Sequence, residues 1–368
     1  MFGDFFKDKK ILVTGIAGVK GSWLALELLE AGSQVVGVDI KTPEVESNFL
    51  ASGLRQRTRF IHGDVADLHM MRELMRGVDG VFHLAAVALV GEAQQKPLEA
   101  YRSNTYGTAV VLEAMRLSPA VKYGVMVTTD KVYRSKGGEM WEETDPLFAT
   151  HPYPVSKACA EEIIADYERV YLRPNGKCVG IGRAGNVVIG GDFYSSHKTG
   201  GFGRVFVDCY EALAAGRPPQ IFSPKFTRPY TYGLDIVTGY MTLMSQLDRV
   251  PGTAFNFGPH EQPGVENSVL ATRICELWGT GVMWQTGTPR SEPFEKQSLS
   301  WEKARRLLGW QPAYTLEEAL VDTTRWYKTW AQQGKTGGEG SMYAFNQSLI
   351  KGHCEAAQKR QIAWATPL

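Results

Sequence analysis

Tyr153 and Lys157 stand four residues apart in Tyr153-Pro154-Val155-Ser156-Lys157, a spacing that puts a phenol and an ammonium on one face of a helix. A cation beside a phenol favours phenolate. The spacing therefore predicts a tyrosine whose pKa is drawn down toward working pH, able to take a proton from an alcohol as hydride leaves the same carbon. The pattern is common by chance, but here it follows Val127-Thr128-Thr129-Asp130-Lys131, where an apolar run turns polar at a strand end. Thr129 can hydrogen-bond the same alcohol. Asp130 and Lys131 add a carboxyl and an amine next to it, a pair that also reads as a surface ion pair or as the turn leading into a helix.

A hydride needs an acceptor, and the N-terminal segment offers a place for one. Ile11-Leu12-Val13-Thr14 leads into Gly15-Ile16-Ala17-Gly18-Val19-Lys20-Gly21, a buried strand running through a glycine turn into a helix. Gly15 permits the tight turn, Gly18 lets the backbone approach a pyrophosphate, Val19 begins the helix whose positive end meets the phosphates, and Gly21 allows close helix-strand packing. A glycine triplet alone is weak. The next strand ends in Asp39, where a carboxylate can bind ribose hydroxyls and repel a 2′-phosphate, which favours NAD over NADP. Asp64 and Val65 after the third strand are placed for the adenine edge, and Leu84, Ala85 and Ala86 are small or apolar where a dinucleotide needs room. His83 reads as a core or turn residue.

Between Lys10 and Arg183 short apolar runs alternate with longer amphipathic stretches, the rhythm of βαβ units around a parallel sheet. The runs place strands at Ile11–Thr14, Gln34–Asp39, Arg59–His62, Gly80–Leu84, Lys122–Val127 and Cys178–Arg183. Helices are expected at Gly21–Ala31, Asp67–Arg76, Tyr101–Leu117 and Tyr153–Tyr171. Beyond Arg183 come loops rich in Gly, Pro and aromatic residues, Gly190–Gly203 and Ser223–Tyr232, with helices near Val205–Ala215, Leu234–Leu247, Ser268–Trp278, Trp301–Leu308 and Leu316–Gln332. The fold class is α/β: a Rossmann-type doubly wound parallel sheet with a smaller, mostly C-terminal α/β substrate-binding unit. Residues 1–182 with about 231–258 form the NAD-binding part, 183–230 and 259–332 the substrate-binding part. Gln333–Gly340 has a linker's composition, and the tail to Leu368 shows no clean period, which predicts a poorly ordered or surface-docked segment or, alternatively, a subunit contact.

The chain of 368 residues carries 40 basic and 39 acidic side chains, a net charge of +1, so no global field draws it to nucleic acid or to an anionic membrane. A small-molecule partner is expected. Cys159, Cys178, Cys209, Cys275 and Cys354 form no CxxC pair and no zinc-like spacing with histidine, so no metal is expected and a reducing cytoplasm fits. The first ten residues lack the apolar stretch of a signal peptide or membrane span.

Together these residues resemble the extended short-chain dehydrogenase/reductase family, the NAD-dependent epimerases and dehydratases, over essentially residues 8 to 330. Within it the likeness is closest to the CDP-glucose 4,6-dehydratase group, carried by Gly18-Val19-Lys20-Gly21-Ser22-Trp23-Leu24, Thr129-Asp130-Lys131-Val132-Tyr133, Ser156-Lys157-Ala158-Cys159-Ala160-Glu161 and Arg183-Ala184-Gly185-Asn186-Val187 through Gly190-Gly191-Asp192. Lys20 and Trp23 are the selective part. The resemblance implies that Tyr153 and Lys157 act in C4 oxidation of a nucleotide-sugar, that Asp130 is the acid for loss of water and that Lys131 assists at C5. It implies that Asn186 and Arg228 hold the substrate diphosphate, with Arg204, which also reads as a solvated helix arginine, near the nucleotide. Asn104 is expected to tether backbone behind the site. The chain departs from that group after Arg228-Pro229, with Tyr230-Thr231-Tyr232-Gly233 where the group carries tryptophan and then histidine, and Ser291–Ser300 matches it poorly. A simple epimerase would need only the tyrosine, the lysine and the hydroxyl residue, and a non-catalytic NAD-sensing protein would need neither Tyr153 nor Lys157. The family's habit of pairing two long helices, here Tyr101–Leu117 and Tyr153–Tyr171, implies a homodimer with a four-helix interface.

Overall fold

The computed structural model describes residues 2–41, 46–134, 140–195, 204–261, 264–287, 297–334 and 337–365. Parts of three sequence-defined segments, Gly190–Gly203, Ser291–Ser300 and Gln333–Gly340, lie outside the described residues. Six strands follow the apolar runs: β1 (Lys10–Thr14), β2 (Gln34–Asp39), β3 (Arg59–His62), β4 (Gly80–His83), β5 (Tyr123–Thr129) and β6 (Cys178–Ala184). A seventh, Ala254–Phe257, pairs with β6 and completes a sheet in the order Ala254–Phe257, β6, β5, β4, β1, β2, β3. Every neighbouring pair is parallel, so each connection crosses a face of the sheet and the strands are covered on both sides. Strand order reverses between β1 and β4, which opens a crevice at the carboxyl ends of the strands.

The two faces have separate cores. One holds Leu12, Val36, Val81, Met115, Met126 and Val179 under the helices Leu68–Leu74, Gly107–Leu117 and Pro152–Tyr167. The other, larger core runs from Ile11, Val13 and Trp23 through Tyr240, Phe257 and Trp310 to Trp326. The helix Val19–Glu30 is fixed there by Trp23, whose indole N–H donates to the Gly190 carbonyl at 2.9 Å.

Beyond β6 the sheet gives way to two-residue and three-residue strands. Asn186–Val188 runs parallel to Tyr230–Tyr232, Thr227–Arg228 is antiparallel to Val265–Glu266, and Gln220–Ile221 is parallel to Gln285–Thr286. These short ladders are held up by the helices Val205–Ala214, Asn267–Trp278 and Leu316–Thr329, the last opened by a capping box between Thr315 and Glu318.

Of the readings the sequence leaves open for the tail, poorly ordered, surface-docked or a subunit contact, the structure shows a docked segment, and an ordered one. A helix spans Tyr343–Lys359 and buries Asn346, Leu349, Ile350, His353 and Ala357. Its docking is polar as well as apolar. Asn346 Nδ2 donates to Asn48 Oδ1 and Ser52 Oγ at 2.9 and 2.7 Å, the Trp326 indole donates to Asn346 Oδ1 at 2.7 Å, and His353 lies 2.9 Å from Asp235. Two of the five inward positions are polar, which is why the sequence shows no apolar period there. Trp364 then stacks on Phe2 at 5.5 Å, joining the two ends of the chain.

Candidate active site

The glycine turn leaves β1 with Gly15 at φ +72°, a backbone setting that side chains rarely adopt. A Cβ on Gly15 would stand 2.7 Å from the Ala85 nitrogen, and one on Gly21 would stand 2.1 Å from the Gly15 carbonyl oxygen. Neither position admits a side chain. Gly18 precedes the helix Val19–Glu30 and gives it no side-chain cap, so the helix offers free N–H groups to an anion. At the end of β2, Asp39 is buried, its carboxylate accepting from Ala17 N at 3.0 Å and Lys41 N at 2.9 Å. Burial raises its pKa and those two amides pull against the rise. The Thr14 hydroxyl accepts from the amides of Leu84 and Ala85, each at 3.1 Å, and Ala86 continues that half-buried wall. Val65 is core, whereas both Asp64 oxygens are already engaged, one by Ala66 N at 2.9 Å and the other by Arg102. A backbone cradle closed to side chains, an uncapped helix end and a buried carboxylate at the end of β2 fit NAD.

The chemistry-bearing residues converge at the end of β5. Thr129, Asp130, Tyr153 and Lys157 are all buried. Thr129 donates to Asp130 Oδ1 at 3.0 Å, the Lys131 ammonium lies 3.7 Å from the same oxygen, and Asp130 Oδ2 has no partner among the described residues. Asp130 is therefore paired with Lys131 and begins a single helical turn, but with no exposure at all it is not half of a surface ion pair. The Tyr153 phenol is pushed up to about 12 by burial and by the Asp130 charge, while a hydrogen bond with Thr129 and the Arg204 charge pull it down.

That direction corrects the expectation of a tyrosine drawn down by its lysine. The Lys157 ammonium is turned to the Val127 carbonyl at 2.9 Å, and burial together with Lys20 lowers its own pKa to about 7 against the raising effect of Glu161. At Tyr153 desolvation outweighs the Thr129 hydrogen bond and the Arg204 charge, the two influences that favour phenolate.

Behind these residues stands a network that the sequence did not reveal. Glu161, one turn beyond Lys157, accepts from Thr128 at 2.6 Å and from Arg183 Nε at 3.0 Å, and Arg183 donates to the Tyr133 hydroxyl at 2.6 Å. This buried pair ties the helix Pro152–Tyr167 to β5 and β6. Asn104 donates to Ser156 Oγ at 2.9 Å and brackets Val87 through both of its backbone groups, the tether expected of it. His83, fully buried between Thr14 Oγ1 at 2.8 Å and Thr108 Oγ1 at 3.1 Å, is held neutral with its pKa lowered to about 3 by burial.

Asn186, Arg204 and Arg228 line one cleft together with Phe222, Tyr230 and Asn267. Asn186 Nδ2 is buried without a partner among the described residues. Arg204 is half-buried, paired with Asp192, and sits within the field of Tyr153, so it links the cleft to the reacting end and is not a solvated helix arginine. Arg228 donates to the Thr227 carbonyl at 3.3 Å and covers the Phe226 ring at 5.0 Å. Among the described residues no group of His, Cys, Asp and Glu is arranged for a metal, and no helix is long and apolar enough to cross a membrane.

Residues 11–258 match the NAD dependent epimerase/dehydratase family. The chain is similar to CDP-glucose 4,6-dehydratase of Salmonella typhimurium, with 30% identity over 342 residues that cover 89% of this chain and 92% of that one. Its fold is that of UDP-glucose 4-epimerase from Thermotoga maritima, solved with UDP-glucose (TM-score 0.76, 27% identity, 87% and 98% covered). It is equally close to a double mutant of dTDP-glucose 4,6-dehydratase from Streptomyces venezuelae, solved with NAD (TM-score 0.74, 25% identity, 86% and 96% covered). With the cradle, the tyrosine and the sheet in agreement, the chain belongs to the NAD-dependent epimerase/dehydratase family of nucleotide-sugar 4,6-dehydratases and 4-epimerases, and is an NAD-dependent enzyme.

Proposed function

We propose that the enzyme is a nucleotide-sugar 4,6-dehydratase, with CDP-glucose its first substrate and CDP-4-dehydro-6-deoxyglucose its product. The observation that carries this reading is Asp130, wholly buried beside Thr129 and Tyr153 with one carboxylate oxygen unpartnered. A 4-epimerase has no use for an acid there, whereas a dehydratase must protonate the hydroxyl that leaves C6. NAD, when bound, supplies the hydride acceptor for C4 and then the hydride for C6. Tyr153 takes the proton of the C4 hydroxyl, aided by Thr129 and Arg204, the two groups that favour its phenolate. The C4 ketone then acidifies C5: with the proton of the Asp130–Lys131 pair passed to Asp130, the Lys131 amine assists removal of the C5 proton and Asp130 delivers its own to the departing C6 oxygen, which returns the pair to its charged form. Asn186, Arg204 and Arg228 hold the nucleotide diphosphate, the guanidinium groups presenting forked donors to phosphate oxygens.

The nucleotide sits in the cleft formed by 183–230 and 259–332, against the NAD-binding part made of 1–182 and about 231–258. Exposed Tyr106, Val170 and Tyr171 on the two long helices support a homodimer with a four-helix interface, and five free thiols support a cytoplasmic setting. The test is a panel of nucleotide-hexoses incubated with the purified enzyme and read by mass spectrometry. Loss of one water from CDP-glucose is expected. A product of unchanged mass with inverted C4 would instead make the enzyme an epimerase and leave Asp130 without its role.

A further inference from the structure

Asp130 and Lys131 sit in the single helical turn Asp130–Val132, closed by the Tyr133 amide on the Asp130 carbonyl at 3.3 Å. So short a turn does not fix its own side chains. Both of its ends are fastened to one buried ion pair. Before the turn, the Thr128 hydroxyl donates to Glu161 Oε1 at 2.6 Å, and after it the Tyr133 hydroxyl accepts from Arg183 Nη1 at 2.6 Å. Arg183 in turn donates to Glu161 through Nε at 3.0 Å and through Nη2. All four side chains are buried. Glu161 stands on the helix that carries Tyr153 and Lys157, and Arg183 stands on β6. The pair therefore sets the turn that bears the carboxyl and the amine against the helix that bears the phenol.

Tyr133 is the link at the far end of the turn. Its hydroxyl donates to Asn256 Oδ1 at 2.7 Å, its ring stacks on Trp141 at 5.7 Å, and it does not line the cleft of Asn186 and Arg228. Burial raises the pKa of this phenol, so it stays protonated and can accept from Arg183 while donating to Asn256. A buried ion pair adds little stability over apolar residues of the same volume, so this one is better suited to specify a geometry than to hold up the fold. Thr129, by contrast, still lies within the β5–β6 ladder, opposite Ala184. We propose that Tyr133 is a positioning residue for the loss of water, holding the Asp130–Lys131 turn in register with the Tyr153 helix through Arg183 and Glu161, while C4 oxidation, served by Tyr153 and Thr129, proceeds without it. The assignment rests on the 4,6-dehydratase reading of the site. In the step concerned, the Lys131 amine takes the C5 proton, the C5–H pair becomes the second C5–C6 bond, and the C6–O pair leaves with the Asp130 proton as water.

The test compares the Tyr133→Phe holoenzyme with the unmodified one on CDP-glucose, following bound nicotinamide by absorbance and product by mass spectrometry. Reduction of NAD on adding substrate should keep its rate and KM its value. Loss of water should fall by about tenfold, below the hundredfold that a full ångström of misplacement costs, so reduced cofactor should accumulate in the steady state. Asn256→Ala takes away the acceptor of the phenol and leaves Arg183 its partner. It should shift the balance between the two steps the same way by about a few-fold, and it stands in if phenylalanine disturbs folding. Tyr123→Phe removes a hydroxyl at the other end of β5, one bonded to Asp248 at 2.8 Å, and should leave that balance unchanged. A purely structural role for Tyr133 would lower the melting temperature and slow both steps alike. That result, a raised KM, or water loss at the original rate overturns the proposal. If the unmodified enzyme removes water from no nucleotide-hexose, the dehydratase reading falls and the proposal with it, whereas normal water loss in both enzymes sinks only the role of Tyr133.

Discussion

The two sides of the cleft are built differently. On the sheet side, Thr129, Asp130, Tyr153 and Lys157 come from one long strand, the single helical turn that follows it and one long helix, and Glu161, Arg183 and Asn104 lock those elements behind them. On the other side, Asn186, Arg204 and Arg228 sit at the ends of two-residue and three-residue ladders or just before a helix. Asn186 Nδ2 has no partner among the described residues, and Arg228 reaches the carbonyl of its own neighbour. A rigid constellation suits atoms that must meet within a few tenths of an ångström. A cleft that leaves the Asn186 amide without a partner among the described residues suits recognition, and its short elements can change without disturbing the chemistry. The departures after Arg228-Pro229 fall on that second side.

If the division is real, damage on the two sides will look different in kinetics. The largest effect is expected from Tyr153→Phe, which removes the group that exchanges the C4 proton. Turnover should fall by about a thousandfold or more with bound NAD retained, since the glycine cradle is untouched. Full activity in that variant would break the sheet-side assignment outright. Asp130→Asn should come next, with C4 oxidation intact and water loss slowed by about a hundredfold, measured as product formed per reduced cofactor. Arg228→Ala should act differently in kind. Removing a charged donor that holds the ground state and the transition state alike should raise KM by roughly tenfold to a hundredfold at constant kcat, and a fall in kcat instead would place the arginine on the chemical side.

The same contrast governs what could be read from the sequence. The strands of the sheet were legible because a parallel sheet buries both faces and its strands become continuous apolar runs. Even so, β5 extends through Thr128 and Thr129, past the expected end at Val127, because two polar residues are buried there to serve the site. Ala254–Phe257 is too short to carry a period and becomes a strand only through its pairing with β6. The tail helix hid behind Asn346 and His353, whose partners Asn48, Ser52 and Asp235 lie far away in sequence. The residues proposed for catalysis showed as motifs, but the Lys157 contact with Val127 and the Glu161 network depend on packing across elements. No spacing rule contains them.

Asp39 is where the two sides touch, and it yields the smallest and most discriminating effect. The neighbouring Lys41 donates to the Tyr194 hydroxyl at 2.9 Å, so a cation from the sheet side already reaches across to the segment after Asp192. In the unmodified enzyme the Asp39 carboxylate is expected to repel a 2′-phosphate at that position. Asp39→Ala removes that carboxylate and leaves the Lys41 cation two residues on, so affinity for NAD should weaken and the preference for NAD over NADP should shrink, by about tenfold for one lost charge interaction of roughly 1.4 kcal/mol. Acid should imitate the mutation. Burial raises the Asp39 pKa, so its carboxylate is lost earlier on acidification than an exposed one, and the preference should decline as pH falls through that raised value in the unmodified enzyme while staying flat in the variant. Binding titrations with both dinucleotides across a pH series measure this. A preference that survives the substitution would mean that Lys41, Tyr194 and the shape of the groove choose the cofactor, and that specificity on this edge, too, is set from the recognition side.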